Sequence, residues 1–171
     1  THDVLTGLPN RSQFEAELDE ALVRCEAPGR SIALLYLDLD RFKEVNDTLG
    51  HHAGDQLLRQ FAERLKGLTS RDDTIARLGG DEFTIIVRAF TAKAEIEQLC
   101  SKLVETARQP FDVGDTQVFI GVSVGVAIAP RDATTAAELA RRADIALYSA
   151  KANGRSGYAV FSPDMQELIT Q

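Results

Sequence analysis

The stretch Arg77-Leu78-Gly79-Gly80-Asp81-Glu82-Phe83 separates two short strand-like runs, residues 74–76 before it and residues 84–87 after it. The second run is β-branched throughout, which favours an extended backbone. Glycine tolerates the positive φ angles that tight hairpin turns require. The stretch therefore predicts a β-hairpin with Gly79 and Gly80 at its tip.

Two carboxylates, Asp81 and Glu82, directly follow these glycines. Adjacent acids repel one another unless a cation lies between them. The tip is therefore either a metal or phosphate site presented on a turn or an acidic turn exposed to water. The stretch alone leaves both interpretations open.

The composition predicts one soluble domain that spans residues 1–171. The chain is 44% apolar and 26% charged, with a net charge of −7. This charge argues against nucleic-acid binding, which needs a basic surface, but it does not exclude a nucleotide bound through a cation. No apolar run reaches the roughly 18 residues of a membrane span, so we expect no membrane contact by this segment. Cys25 and Cys100 match no metal or redox spacing and are predicted to be free thiols in a reducing compartment.

Hydrophobic periodicity predicts a mixed α/β fold (α+β), with a mostly antiparallel sheet covered by helices. Residues 31–39 form a strand that is apolar on both faces, which places it in the middle of the sheet. Asp40, at its end, is predicted to cap the next helix. Five helices are predicted, at residues 13–26, 41–49, 56–66 (after a break at 50–55), 91–108 and 135–153. A hairpin that begins at residues 111–113 leads into a long strand at 116–129, and a last strand lies at 158–161.

Asp38 ends the predicted central strand. If the acidic hairpin lies beside that strand, Asp38, Asp81 and Glu82 converge. Carboxylate oxygens in that number suit Mg²⁺, which keeps water or phosphate oxygens in its other positions. A turn role for Asp38 at the strand end remains the alternative.

Four other polar positions are ambiguous. Lys151 and Arg155 could hold phosphate groups or could complement a helix C-terminus. Asn46 and Asp55 flank the break at residues 50–55, where capping and turn roles explain both. The neighbouring His51 and His52 do not share a helical face, and no third ligand is spaced for zinc.

The sequence resembles the GGDEF family of diguanylate cyclases. The likeness covers nearly the whole chain and includes the full Gly79-Gly80-Asp81-Glu82-Phe83 motif. The other matching segments occur in the family's order, at residues 3–11, 38–43, 46–47, 50–51, 54–55, 143–144, 146–148, 150–151 and 154–155.

The resemblance implies a central sheet of about five strands, like that of nucleotide cyclases and the polymerase palm. It implies condensation of two GTP into cyclic di-GMP and two pyrophosphates. Asp38 and Asp81 would bind two Mg²⁺ ions, with Mn²⁺ as a substitute and the Leu39 carbonyl as a further ligand. Glu82 would assist the metals or act as the base toward the 3′-hydroxyl group.

The same resemblance assigns the substrate contacts. Gly79 and Gly80 would let the backbone approach the α-phosphate. Asn46 and Asp55 would recognise guanine, whose paired N–H donors suit a carboxylate that only accepts. The outer phosphates would be held by the main chain of Arg41, Phe42 and Lys43 and by the side chains of Lys151 and Arg155.

The family implies partners outside this segment. The attacking hydroxyl belongs to a second GTP, so turnover requires a homodimer of two GGDEF domains. Residues 158–165 resemble the junction with an EAL phosphodiesterase domain, so we expect residues 1–12 to be a lead-in segment and residues 162–171 to begin a linker. The domain is expected in the cytoplasm. The parent protein is expected to carry a sensor domain N-terminal to it and could be anchored to a membrane. An alternative function is a catalytically weak GTP-binding module that regulates the EAL domain.

One position departs from the family pattern. Many members carry an inhibitory product site, Arg-x-x-Asp, just before the hairpin. Asp73 fits the aspartate, but Ser70 occupies the arginine position. Serine cannot replace the planar guanidinium fork, so we predict weak or absent product inhibition through this site.

Overall fold

The computed structural model describes residues 1–166, which form five helices and seven strands. Residues 167–171 of the linker predicted at residues 162–171 lie outside the described residues, and the linker stays a prediction. The elements are α1 Arg11–Arg24, β1 Ile32–Asp40, α2 Phe42–Leu49, α3 His51–Leu68, β2 Thr74–Gly79, β3 Glu82–Val87, α4 Lys93–Arg108, β4 Phe111–Val113, β5 Thr116–Val118, β6 Gly121–Ala129, α5 Ala136–Ala152 and β7 Gly157–Val160.

Five strands form one sheet in the order β2-β3-β1-β6-β7. β1 is antiparallel to both of its neighbours, β3 and β6, and only the β6–β7 pair is parallel. Leu34 and Leu35, on opposite faces of β1, are both fully buried. The predicted fold class and the central position of this strand are confirmed.

The two faces of the sheet carry separate hydrophobic cores. Helices α3 and α4 cover the face of Leu35 and Leu37, whereas α1 and α5 cover the face of Leu34. Because side chains alternate along a strand, Asp38 and Asp40 point to the same face as Leu34. The carboxylates at the end of β1 are therefore directed toward α5.

Two predictions around the end of β1 are wrong. Asp40 does not cap α2: it is 4% exposed, and Arg41, with φ of 65°, occupies the cap position without a side-chain hydrogen bond. The predicted break at residues 50–55 shrinks to Gly50, since α3 already begins at His51. Gly50 has φ of 92°, a left-handed conformation that favours glycine and ends α2 in a single residue.

The long strand predicted at residues 116–129 is two strands. β5 pairs with β4 in a separate two-stranded sheet, and residues 119–120 separate it from β6. The prediction assigned one apolar face to this strand, but every residue of β6 is buried. Its small residues, such as Ser123 and Gly125, alternate with valines and face α5, which packs close to the sheet.

The described residues contain no helix that is long and apolar enough to cross a membrane. Cys25 and Cys100 are both free and buried, as predicted. Burial raises the pKa of both thiols, that of Cys100 to about 12. Both thiols are therefore uncharged packing groups at neutral pH.

Candidate active site

The acidic hairpin turns one residue later than predicted. Gly79 still belongs to β2 and is the register partner of Glu82, so the turn consists of Gly80 and Asp81. Gly79 and Gly80 have φ of 145° and 51°, and the register shifts between Arg77 and Gly79. The predicted hairpin is therefore confirmed, but its turn contains Gly80 and Asp81, and Gly79 is the last residue of β2.

A salt bridge ties this turn to the start of the chain. Arg77 donates from Nε and Nη2 to the Gly80 carbonyl at 3.0 and 2.9 Å, and from Nη1 to Asp3 Oδ1 at 2.8 Å. Burial alone would raise the pKa of Asp3, but hydrogen bonds from Thr6 and the charge of Arg77 together lower it. The N-terminal segment and the hairpin turn are thus joined through one guanidinium group.

The three predicted acidic residues lie at one edge of the sheet. Asp38 on β1 is the register partner of Glu82 on β3, and the Leu39 N–H donates to the Asp81 carbonyl at 3.3 Å. Asp38 Oδ2 forms an ion pair with Lys151 Nζ from the last turn of α5. Asp38, Asp81 and Glu82 therefore lie at neighbouring positions, as expected, but their three side chains do not form one cluster suited to hold a metal ion. The role of each residue stays a prediction.

The electrostatics of this edge favour a cation. Asp38 Oδ1 is buried and has no hydrogen-bond partner among the described residues. Burial, the contact with Asp38 and the charge of Glu82 raise the pKa of Asp81 from its ordinary 3.8 to about 7. An orphaned carboxylate oxygen facing a second carboxyl group is costly unless a positive ion neutralises both.

The pair of carboxylates Asp38 and Asp81 is a donor set that fits Mg²⁺. Residues 1–166 contain no cluster of three or more histidine, cysteine, aspartate or glutamate side chains suited to hold a metal ion. Mg²⁺ is usually bound by one or two carboxylates, and water and phosphate oxygens complete its octahedron. Asp38 and Asp81 supply such a pair of carboxylates.

Lys151 and Arg155 both face carboxylates of β1. Lys151 contacts Asp38, and Arg155 Nη1 lies 3.7 Å from Asp40 Oδ1. Arg155 lies three residues beyond the end of α5, and its N–H donates to the Ala150 carbonyl at 3.2 Å, so a role at the helix C-terminus stays the alternative. Their predicted contacts with phosphate groups stay predictions.

The start of α2 lies beside the same strand end. Arg41 and Lys43 are exposed and Phe42 is buried. The first turn of a helix has free main-chain N–H groups, which favour anions. This position suits the predicted main-chain contacts of residues 41–43 with phosphate.

The predicted guanine residues lie where α2 packs on α3. A Cβ atom at Gly54 would lie only 1.9 Å from Asn46 Oδ1 and 3.2 Å from Phe42 Cζ. Only glycine at position 54 therefore allows Asn46 to pack this closely against α3. Asn46 therefore lies against the first turn of α3, next to Asp55. Both side chains belong to half-buried residues, which are open to a ligand.

A comparison with protein-family models identifies the family of this chain. The family model described as "Diguanylate cyclase, GGDEF domain" matches residues 1–157. This chain belongs to the GGDEF family. The resemblance seen in the sequence is confirmed.

The relatives of this GGDEF domain are mostly larger proteins. It is 44% identical over 164 residues to the bifunctional diguanylate cyclase/cyclic di-GMP phosphodiesterase MucR of Pseudomonas aeruginosa, covering 96% of the chain and 24% of MucR. It is 37% identical over 167 residues to the cyclic di-GMP phosphodiesterase PdeR of Escherichia coli, covering 98% and 25%. The chain thus spans about a quarter of the length of these relatives.

A solved structure matches the fold over its full length. The GGDEF domain of TpbB from Pseudomonas aeruginosa superposes with a TM-score of 0.96 at 35% identity, and the match covers 100% of both chains. The agreement supports the sheet order and helix positions described above.

Ser70 and Asp73, at the two positions of the product-site motif, are hydrogen-bonded to each other. The Ser70 N–H donates to Asp73 Oδ2 at 3.0 Å, and the Asp73 N–H donates to the Ser70 carbonyl at 3.1 Å. Both residues line a cavity of about 400 Å³ that also includes Lys66 and Arg71. The Asp73 carboxylate thus has a local partner, and weak product inhibition stays a prediction.

Sequence reasoning missed the role of Asp40. Its buried carboxylate accepts from Ser123 Oγ at 2.8 Å and from the Ser156 N–H at 2.9 Å. The position after a strand resembled a helix cap, and the partners lie 83 and 116 residues away along the chain. The available sign was Ser123, a polar residue inside an otherwise apolar strand.

The raised pKa of Asp81 predicts that Asp81→Asn stabilises the metal-free domain at high pH. Between pH 3.8 and 7 the folded state retains a proton that the unfolded chain has lost, so stability falls as the pH rises and the cost is complete above pH 7. Allowing for solvent screening of this half-buried group, the gain at pH 8 is about 1 kcal/mol, or about 2–4 °C in Tm.

Thermal unfolding in EDTA at pH 4 and pH 8 measures this gain. The two proteins are expected to be similar at pH 4 and to separate at pH 8. The exposed Asp115, replaced by asparagine in the same way, is the control and should show no such separation. A Tm of Asp81→Asn below that of the wild type at pH 8 would contradict the prediction.

Proposed function

We propose that this domain is a Mg²⁺-dependent diguanylate cyclase that condenses two GTP into cyclic di-GMP and two pyrophosphates. The observation that carries the proposal is the orphaned Asp38 Oδ1, which lies at the edge of the sheet where Asp81 and Glu82 meet β1. Carboxylates beside a helix N-terminus and Lys151 suit a metal–triphosphate group better than a neutral ligand.

The proposed metal site uses Asp38, Asp81 and the Leu39 carbonyl. Mg²⁺, or Mn²⁺ in its place, would supply Lewis acidity toward the α-phosphate and the attacking 3′-hydroxyl group. Glu82 is exposed and opposite Asp38, so it can assist the metal or take the proton of that hydroxyl.

The remaining residues position the nucleotide. Gly79 and Gly80 carry no side chains and let the α-phosphate approach the turn. Lys151 and Arg155 neutralise the outer phosphates together with the main chain of residues 41–43. Because Lys151 pairs with Asp38 in the structure, substrate binding would exchange one anionic partner for another.

Guanine is recognised at the junction of α2 and α3 in this proposal. Asp55 accepts from the paired N–H donors of guanine, and Asn46 beside Gly54 completes the edge. Adenine would leave a half-buried carboxylate without donors, which costs about 1–3 kcal/mol.

The second GTP requires a second domain. One site holds one triphosphate, and the attacking hydroxyl must come from the nucleotide on another GGDEF domain.

The specific activity of the isolated domain is therefore expected to rise in proportion to protein concentration in the dilute range. Cyclic di-GMP and pyrophosphate are measured over a dilution series with saturating GTP and Mg²⁺.

A dimerising fusion provides the matched comparison, since its specific activity should not change on dilution. A monomeric preparation with concentration-independent specific activity would contradict the two-domain mechanism. GTP binding without product, even in the dimerising fusion, would contradict the cyclase function itself.

The relatives favour one alternative. MucR is named a bifunctional enzyme and PdeR a phosphodiesterase, so an EAL domain adjoining this segment is a reasonable proposal for the parent protein. In that setting the GGDEF domain could be a catalytically weak GTP-binding regulator. GTP-dependent phosphodiesterase activity of the parent protein, without synthesis by this domain, would favour this alternative.

The buried free thiols Cys25 and Cys100 are consistent with a reducing compartment. We place the proposed reaction in the cytoplasm for that reason. An upstream sensor, with or without a membrane anchor, would bring two domains together.

A further inference from the structure

The loop after α5 has an unusual backbone. Gly154, Arg155 and Ser156 have φ of 112°, 60° and 45°, so three consecutive residues adopt left-handed conformations. Only the first is a glycine, and the Cβ atoms of the other two make this conformation unfavourable. Such strain persists only where surrounding contacts fix the backbone, and it is concentrated at functional sites.

Two side chains fix this loop at Ser156. On the inside, the buried Asp40 accepts from the Ser156 N–H at 2.9 Å. On the outside, Arg108 donates from Nε to Ser156 Oγ at 2.8 Å and from Nη2 to the Ser156 carbonyl at 2.9 Å. Gly121 leaves room for the serine, since a Cβ atom there would lie 3.0 Å from Ser156 Oγ.

The same residues line a cavity. Arg41, Arg108 and Arg155 surround a space of about 360 Å³ that also contacts Phe119 and Asp40. The cavity lies between the start of α2 and the loop after α5, where the outer phosphates of the substrate would lie. Three arginines that line one cavity favour a ligand with more than one negative charge.

We propose that Arg108 is a positioning residue, which holds the left-handed loop so that Arg155 faces the β- and γ-phosphates. The inference rests on the proposed function. Arg108 donates hydrogen bonds to the carbonyl and the hydroxyl group of Ser156, the residue next to Arg155. Without these bonds the loop can relax toward negative φ. Arg155 then moves away from the phosphates, whereas the contacts to the guanosine are left intact.

Nucleotide affinity of Arg108→Ala tests this role. GTP binding in the presence of Mg²⁺ is expected to weaken about tenfold, which corresponds to the loss of hydrogen bonds from a charged group. GMP lacks the outer phosphates, and its affinity is expected to change less than about twofold on the same grounds. Arg108 is exposed at the end of α4, so the variant is expected to fold.

Two further variants separate positioning from charge. Arg108→Lys keeps a positive charge at the C-terminus of α4, where the helix dipole favours it, but lysine cannot donate both hydrogen bonds to Ser156 in the same geometry. It is expected to bind GTP as weakly as Arg108→Ala. Arg24→Ala makes the same change in net charge at an exposed side chain of α1 and should leave both affinities unchanged.

The outcomes separate this inference from the function on which it rests. Wild-type affinity for GTP in Arg108→Lys would overturn positioning, because charge alone would then suffice. Equal losses for GTP and GMP in Arg108→Ala would also overturn it, since they indicate a general loss of the site. If the wild-type domain itself does not bind GTP, the proposed function fails; if it binds and Arg108→Ala binds equally well, only the inference fails.

Discussion

Asp81→Asn is expected to lower the rate of cyclic di-GMP formation by about a hundredfold or more. The substitution keeps the shape of the side chain but removes one of two carboxylates at the proposed metal site. A catalytic metal contributes several kcal/mol to stabilising the transition state, and each 1.4 kcal/mol is a tenfold change in rate. The measurement is the initial rate at saturating GTP and Mg²⁺, with the domain held in a dimerising fusion.

The control is Asp115→Asn, at the exposed turn between β4 and β5, which should retain the wild-type rate. A rate for Asp81→Asn within threefold of the wild type would remove Asp81 from the proposed metal site. The variant is also expected to be more stable than the wild type above pH 7. Loss of activity with gain of stability is typical of a residue that is retained for function at a cost to folding.

The parts of this site that could be predicted depend on local patterns. A β-branched run after Gly79 and Gly80 indicates a hairpin, and an apolar run that ends at Asp38 indicates a buried strand. Each pattern needs only a few consecutive residues, because strand geometry repeats every two residues. The sequence left the pairing of the hairpin with this strand as a condition, and the register of Asp38 with Glu82 fulfils it.

The parts that could not be predicted depend on distant partners. Arg77 contacts Asp3, 74 residues earlier in the chain, and Arg108 contacts Ser156, 48 residues later. Neither pair has a local pattern, because hydrogen bonds between loops follow from the packing of whole elements. Asp40 was misassigned for the same reason: a cap and a buried network residue look alike in sequence.

The boundaries that were wrong have local causes. The helix α3 begins before the predicted break ends, because Gly54 in its first turn serves close packing against Asn46 and not chain reversal. The strand predicted at residues 116–129 is interrupted at residues 119–120, although its apolar alternation continues through the interruption. Alternation reports burial, and it does not reveal where a strand changes its partner.

Gly125→Ala is expected to destabilise the domain by about 3 kcal/mol or more. Gly125 lies in the middle of β6, and a Cβ atom there would lie 2.1 Å from the Leu147 nitrogen and 2.3 Å from the Ala143 carbonyl oxygen. Both are backbone atoms of α5, so relief requires the helix to move away from the sheet. Overpacking in a filled core costs about 1–3 kcal/mol, and backbone displacement adds to that. For a domain of this size the loss corresponds to roughly 6–12 °C in Tm.

Gly67→Ala is the matched control, because it is the same substitution at an exposed helical glycine with no atom within 4 Å of the added Cβ. Alanine is the better helix former, so this variant should gain about 0.5–1 kcal/mol. Thermal unfolding of the two variants therefore gives shifts of opposite sign. A Gly125→Ala protein as stable as the wild type would show that α5 can move from β6 without cost. Because α5 carries Lys151 to Asp38, we infer that its close packing on β6 also fixes the position of Lys151, and that result would contradict this inference.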